Sequence, residues 1–180
     1  MMTIWADLLG CEVKYRGKQY RTRTIEAGTG DPLILMHGVG GHAEAYSRNV
    51  RRLGENFHAI AIDFIWHGFS SKPPIVASMV PHYGRQVLDL MDSMGVERAH
   101  LEGESLGGWV ALWLSLNHPD RLKKVVLNTT AGIKFKADAV KVDTHGGRDA
   151  LRQRSLAALE SPSRETIRKR LEWLMASPDR

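Results

Sequence analysis

The sequence has few of the features that mark secreted, disulfide-linked or membrane-spanning proteins. Its 180 residues include a single cysteine, Cys11, which excludes an intramolecular disulfide and a cysteine-ligated metal site. No apolar run approaches the roughly 20 residues that a membrane-spanning helix needs. The amino terminus lacks the basic and apolar regions of a secretory signal peptide. We therefore expect a cytoplasmic protein without a membrane partner.

Positive charge is only slightly in excess, and the excess is local. The formal net charge is +5, and residues 134–180 carry 11 Lys and Arg against 7 Asp and Glu. These charges recur at helical spacing among acidic residues, without the interleaved aromatic residues that stack on bases. The pattern is typical of a solvated helix face, so we expect no nucleic-acid partner. The remaining composition, 43% apolar and 25% charged, is that of a globular protein with one sizeable core.

The order of apolar runs predicts an α/β fold. Four short runs rich in Leu, Ile and Val are typical of buried strands: residues 33–37, 58–64, 100–104 and 124–130. Helical patterns lie between them: residues 43–53, 81–94 and 106–118. This alternation predicts a mostly parallel sheet with helices on both faces. Upstream, the segments 11–15 and 19–27 around a turn at 16–18 predict an antiparallel hairpin at one edge of the sheet.

The character of the sequence changes after about residue 133. A segment punctuated by Gly and Asp leads into two polar amphipathic patterns, at about residues 148–160 and 163–176, and no further strand is visible. We therefore expect two regions. Residues 1–133 form the α/β core, and residues 134–180 form a separate helical region.

The most informative motif is Gly-x-Ser-x-Gly around Ser105, placed where a predicted strand runs into a predicted helix. This context is the one that a nucleophile elbow requires, because flanking glycines permit the tight turn that exposes the serine hydroxyl. The N–H of Leu106, at the start of the helix, can stabilise a developing oxyanion. We predict that Ser105 is a nucleophile; the alternative is a purely structural turn.

A second glycine motif, His37-Gly38-Val39-Gly40-Gly41, follows the predicted strand 33–37. A nucleophile elbow takes its second oxyanion donor from a loop that follows such a strand. We assign this donor to the Val39 N–H, with Gly40 as the neighbouring possibility. Glycines let such a loop approach a substrate closely, and we take Gly38, Gly40 and Glu104 as candidate substrate-binding residues. His37 is expected to brace the loop. The alternative is a generic glycine-rich turn.

Asp63 and His67 could be read as the acid and base of a catalytic triad with Ser105. Both precede the serine, however, whereas the order in this kind of fold is serine, then acid, then histidine. We therefore predict that Asp63 and His67 scaffold a loop, with a displaced acid–base pair as the alternative.

In order and spacing, residues 35–38, 61–68 and 103–108 resemble the α/β-hydrolase superfamily, over about residues 10–133. Within it, residues 37–50 and 63–73 are similar to those of meta-cleavage-product hydrolases, bacterial enzymes that hydrolyse a C–C bond in ring-opened vinylogous diketones. The resemblance implies a serine hydrolase for a substrate of the 2-hydroxy-6-oxohexa-2,4-dienoate type. A carboxylesterase, thioesterase or lactonase needs the same serine and donors, so these activities remain alternatives, as does a catalytically inactive fragment.

The resemblance also implies that the chain is truncated at its carboxyl terminus. The family places its triad acid and histidine on loops after later strands, beyond a helical lid, so we expect residues 134–180 to begin that lid and the last core strands to be missing. Only His118 and His145 follow Ser105, and neither is expected to be the base. No metal or organic cofactor is implied. The expected partners are a small-molecule substrate and either a second copy of the chain, as a dimer, or a complementing C-terminal fragment.

Overall fold

A computed structural model describes residues 7–133, 161 and 163–174. The described residues contain six strands: β1 Glu12–Arg16, β2 Thr22–Ala27, β3 Asp31–Met36, β4 Phe57–Ile62, β5 Ala99–Glu104 and β6 Leu122–Asn128. They also contain four α-helices: α1 Ser47–Leu53, α2 Met79–Ser93, α3 Leu106–Asn117 and α4 Arg164–Leu174. Short 3-10 helices at Ala43–Tyr46 and Pro119–Arg121 precede α1 and β6.

The strands form one mixed sheet in the order β1-β2-β4-β3-β5-β6. The hairpin β1-β2 is antiparallel and joins β4 in antiparallel register, whereas β3, β4, β5 and β6 run parallel to one another. The sequence-based predictions of an edge hairpin and a mostly parallel sheet are therefore confirmed.

The side chains of β3 show why helices cover both faces of the sheet. Ile34 and Met36 pack with buried residues of α2 and α3, whereas Leu33 and Leu35 pack on the other face with Val50 of α1. Because successive side chains of a strand point to opposite faces, a strand buried on both sides reads as a continuous apolar run. This is the pattern from which the sheet was predicted.

Two elements differ from the prediction. The helix expected over residues 43–53 is a 3-10 turn followed by α1, because both kinds of helix satisfy the same short apolar spacing. The hairpin turn is longer than residues 16–18, so β2 begins at Thr22. The Asp89 carboxylate of α2 accepts hydrogen bonds at about 3.0 Å from the backbone N–H groups of Lys18, Gln19 and Tyr20, which holds these residues out of the strand.

The chain divides into two compact units, Met1–Ile133 and Lys134–Arg180. The first contains the whole sheet. In the second, α4 lies within the helix predicted at 163–176, and the helix predicted at 148–160 lies outside the described residues. That the second unit begins a lid stays a prediction.

A buried carboxylate ties the hairpin to the parallel sheet. Glu26 of β2 is 2% exposed and accepts hydrogen bonds from Arg16 Nε (2.5 Å), Thr24 Oγ1 (2.6 Å) and His58 Nε2 (3.0 Å). Burial opposes ionisation of Glu26, but the hydrogen bonds from these three side chains outweigh it and lower the pKa from 4.5 to about 2. The ionised carboxylate is therefore part of the native structure.

Replacing Glu26→Gln is expected to lower the free energy of unfolding by about 3 kcal/mol, because it leaves the partly buried Arg16 guanidinium without its counter-charge. Chemical denaturation checks this value. Since the pKa is lower in the folded chain, the network stabilises the fold above about pH 4.5, and its contribution is lost as the pH falls toward 2. The control is Glu12→Gln, whose side chain is 67% exposed and should change stability little. Equal losses in the two variants would contradict the assignment.

Candidate active site

Ser105 lies in a strained turn between β5 and α3. Its backbone angles, φ 52° and ψ −105°, place a non-glycine residue at positive φ. Three hydrogen bonds hold this conformation: the Ser105 N–H donates to the Asn128 carbonyl (3.0 Å), and the Ser105 carbonyl accepts from Trp109 (3.1 Å) and Ala131 (3.0 Å). Asn128 and Ala131 were not predicted as site residues. They act through backbone atoms, which carry no side-chain signal in the sequence.

Close packing explains the glycines of the motif. A Cβ atom added at Gly103 would lie 2.5 Å from the Gly108 nitrogen, and one added at Gly107 would lie 2.7 Å from the Met36 carbonyl carbon. Real Cβ atoms do not approach so closely. Strand β5, helix α3 and the end of β3 can therefore meet around Ser105 only with glycine at these positions.

The structure brings the two predicted oxyanion donors to the same place. Leu106 is the first residue of α3, so its N–H has no partner within the helix. Among the described residues, no acceptor binds the N–H of Leu106, Val39 or Gly40. A Cβ atom added at Gly38 would lie 3.2 Å from the Ser105 Cβ, so the glycine loop packs directly against the nucleophile turn. Gly40 adopts φ 73°, and Gly41 N–H donates to the Gly38 carbonyl at 3.0 Å, which turns the loop sharply.

His37 braces this loop in the position that the sequence predicted. Its ring is fully buried, with Nδ1 2.7 Å from the Gly38 carbonyl and Nε2 accepting the Phe64 N–H at 3.1 Å. Because Nε2 accepts, Nδ1 must carry the proton and donate it to Gly38. Burial is the main cause that lowers the pKa of His37 from 6.5 to about 4. The ring is therefore neutral near pH 7 and joins the glycine loop to the loop after β4.

Asp63 is placed as a scaffold and not as a triad acid. It is fully buried, and its carboxylate accepts hydrogen bonds from the N–H groups of Ala43 (2.7 Å) and Phe69 (2.8 Å) and from Arg23 (3.3 Å). These bonds join the loop after β4 to the start of the 3-10 turn. His67 lies in the same loop, with Nδ1 3.1 Å from the Ile65 carbonyl.

A cavity of about 640 Å³ lies beside the nucleophile turn. Apolar and aromatic side chains make up most of its lining, and none of the residues that line it carries a formal charge at pH 7 with histidine neutral. They come from the glycine loop, the loop after β4, the segment before α2, and helices α2 and α3: Val39, His67, residues 77–81, Tyr83, Leu106, Trp109 and Trp113. The cavity therefore suits an uncharged, apolar group next to Ser105. The aromatic lining was not predicted, because Tyr83 comes from α2 and Trp109 and Trp113 come from α3, and these helices meet only in the fold.

Glu104 lines a different cavity. A second space, of about 430 Å³, lies among Glu102, Glu104, Tyr46, Asn49 and Asn128, on the α1 side of the sheet. Burial is the main cause that raises the pKa of Glu102, and the Glu104 carboxylate adds to it. Oε2 of Glu102 is buried and has no hydrogen-bond partner in the described part of the chain. Glu104 thus packs against Gly38 and lines this second cavity, and substrate binding by Glu104 stays a prediction.

The described residues show no histidine paired with Ser105, although His67 lines the neighbouring cavity. No hydrogen bond of the described residues joins the Ser105 hydroxyl to a histidine. His118 follows α3, whose 12 residues span about 18 Å, and it packs on Trp113 with ring centroids 5.5 Å apart. His118 therefore lies at the far end of the helix, and His145 lies outside the described residues.

The described residues contain neither a candidate metal-binding cluster nor a helix that could span a membrane. In residues 7–133, 161 and 163–174, no group of three or more His, Cys, Asp or Glu side chains is placed to hold a metal ion. A search of the same residues for helices with the length and apolarity to cross a membrane finds none.

Two curated proteins are similar to this chain over part of their length. A 2-hydroxymuconate semialdehyde hydrolase of Pseudomonas sp. (strain CF600) is 30% identical over 118 residues, which are 64% of this chain and 42% of that protein. A putative non-heme haloperoxidase of Mycobacterium phage D29 is 33% identical over 124 residues, which are 68% of this chain and 44% of that protein. The chain therefore spans less than half the length of these curated relatives.

A solved structure is similar over most of the chain. The 2-hydroxy-6-oxo-6-phenylhexa-2,4-dienoate hydrolase of Rhodococcus sp. strain RHA1 superposes with a TM-score of 0.76 at 29% identity, over 90% of this chain and 58% of that one. The family model described as "alpha/beta hydrolase fold" matches residues 31–169, which is well over half of the chain. With the six-stranded mixed sheet and its strand-to-helix serine turn, these matches show that the chain belongs to the α/β-hydrolase fold family.

Proposed function

We propose that this chain carries the nucleophile and the oxyanion donors of a serine hydrolase. The Ser105 oxygen attacks a substrate carbonyl carbon, and the N–H groups of Leu106 and Val39 stabilise the resulting oxyanion. One observation carries this proposal: Ser105 is held at positive φ between β5 and α3, with unpaired N–H groups beside it. Backbone strain of this kind is concentrated at functional sites.

The reaction also needs a base that takes the Ser105 proton and returns it to the leaving group. Since no described histidine reaches the Ser105 hydroxyl, we place the base and its supporting acid outside the described residues. The chain spans less than half the length of its curated relatives, which agrees with this placement.

The proposed substrate is a ring-opened product of aromatic degradation, of the 2-hydroxy-6-oxohexa-2,4-dienoate type. In this hydrolysis, water is added across a C–C bond: the attacked carbonyl carbon becomes a carboxylic acid and the other carbon takes a proton. The names of two similar proteins, a semialdehyde hydrolase and a dienoate hydrolase, support this substrate class. The apolar cavity beside Ser105 would hold the uncharged group on the attacked carbonyl. We also propose that the substrate is a small molecule and that the protein acts in the cytoplasm.

A carboxylesterase or lactonase activity is the second candidate. Among the described residues that line the cavity there is no Lys or Arg that would bind a dienoate carboxylate, and an uncharged ester needs no such residue.

The two candidates are tested together by rescue with imidazole, which can act as a diffusible base. We expect excess imidazole to produce hydrolysis of 2-hydroxy-6-oxohexa-2,4-dienoate that is absent from the Ser105→Ala variant. The loss of the dienoate absorbance measures this hydrolysis. Rescue with p-nitrophenyl butyrate alone would favour the esterase. Equal rates for both proteins with both substrates would contradict the nucleophile assignment.

A further inference from the structure

Trp66 is a bulky residue in an unusual backbone conformation. It adopts φ 65°, in the left-handed region that a bulky residue rarely occupies, and it lies in the loop between β4 and α2. Its backbone N–H donates to the Ser71 carbonyl at 3.0 Å, which closes the turn around this strained residue. A glycine would fit this backbone without strain, so the bulky side chain has to be explained by what it contacts.

The indole of Trp66 joins two walls of the apolar cavity. Its Nε1–H donates to the Pro73 carbonyl at 2.6 Å, and its ring packs edge-on against Tyr83 with centroids 5.4 Å apart. Tyr83 lines the cavity directly, and Pro73 begins the irregular segment that leads to the lining residues 77–81. No other hydrogen bond of the described residues involves residues 73–77. The Trp66 indole therefore links Pro73, upstream of these lining residues, to Tyr83 of the opposite wall.

We propose that Trp66 is a positioning residue that sets the width of the apolar cavity beside Ser105, and so selects the size of the uncharged group that the site accepts. The inference rests on the proposed function, because it concerns the group on the attacked carbonyl. Trp66 acts through Pro73 and Tyr83 and is not itself among the residues that line the cavity.

The test uses ligand binding, which does not require the nucleophile, and is carried out in the Ser105→Ala background. The probe is N-phenyl-1-naphthylamine, a neutral fluorophore, and it is displaced with benzyl alcohol, which has one ring, and with 4-phenylbenzyl alcohol, which has two. Trp66→Phe keeps an aromatic ring but removes the hydrogen bond to Pro73. Trp66→Gly removes the aromatic ring and the hydrogen bond to Pro73, and it also relieves the backbone strain.

Both variants are expected to bind the two-ring ligand about ten-fold more weakly. The reason is that each variant loses the hydrogen bond to Pro73 and with it the order that this bond imposes on the cavity wall. Binding of the one-ring ligand, which spans less of the cavity, should change by less than about two-fold. A merely structural role would weaken both ligands by the same factor, together with a lower melting temperature. That result, or unchanged binding of both ligands, would overturn the proposal.

A blocking variant shows where the probe binds. Ala77 is exposed and lines the cavity, so Ala77→Trp should fill the space and abolish probe binding without disturbing the core. Probe binding that survives Ala77→Trp would place the ligand elsewhere and overturn the proposal. Failure of Ser105 to act as a nucleophile would leave all of these binding results unchanged, so the two hypotheses fail separately.

Discussion

The isolated 180-residue chain is expected to hydrolyse p-nitrophenyl butyrate no faster than its Ser105→Ala variant. Loss of the base alone costs about a million-fold in kcat in a well-studied serine protease, because the hydroxyl without a base is a weak nucleophile. Here the strained Ser105 turn and unpaired N–H groups are present, but no hydrogen bond in the described residues joins the Ser105 hydroxyl to a histidine. The measurement is the release of p-nitrophenol by both proteins under the same conditions, without imidazole.

The control for this assay is Ser115→Ala, a serine within α3, the helix that follows Ser105. Ser115 Oγ donates to the Ala111 carbonyl at 2.8 Å, so it lies further along α3 and away from the nucleophile turn. The three proteins should give the same background rate. A rate that depends on Ser105 and not on Ser115 would show that a base already acts within the chain, which contradicts our placement of the base.

The second large effect is expected in the state of association. Strand β6 ends the sheet of the described residues, and Val126 and Leu127 on it are 56% and 41% exposed. An apolar edge strand with unpaired N–H and C=O groups is a template for pairing with another chain. We therefore predict a dimer in which two β6 strands pair about a two-fold axis, with a light-scattering mass twice that of the 20.2 kDa chain.

Two matched substitutions locate this interface. Val126→Lys introduces a charge on β6 and should yield a monomer. Val13→Lys makes the same change on β1, at the opposite edge of the sheet, and should leave the dimer intact. Val13 is also exposed (57%), but it lies between Glu12 and Lys14, and charged residues of this kind discourage pairing at an edge. A monomer before substitution, with cooperative melting, would contradict the prediction. Dissociation by Val13→Lys and not by Val126→Lys would move the interface to β1.

Much of the fold could be predicted because its signals are carried by side chains. The double burial of β3 makes residues 33–36 a continuous apolar run, and the contact of β5, α3 and β3 requires Gly103 and Gly107. His37 could be assigned to the loop because it directly precedes the glycines. In each case the packing leaves a mark on the local sequence.

The rest of the site depends on contacts between backbone atoms or between distant segments. The carbonyl of Asn128 and the N–H of Ala131 hold Ser105, but any residue supplies such groups. The lining of the cavity comes from four separate segments, and its aromatic character becomes visible only when α2 and α3 meet. Likewise, the positive φ of Trp66 could not be predicted, because nothing in the motif requires a strained backbone there.

The account rests on Ser105 as the nucleophile, and the site of covalent modification tests it most directly. The folded chain is incubated with an alkyl fluorophosphonate, with and without excess imidazole, and the modified residue is located by peptide mass spectrometry. We predict a single adduct on Ser105, formed slowly alone and faster with imidazole, and absent from Ser105→Ala. An adduct on another residue, or no adduct on the folded chain in either condition, would contradict the account.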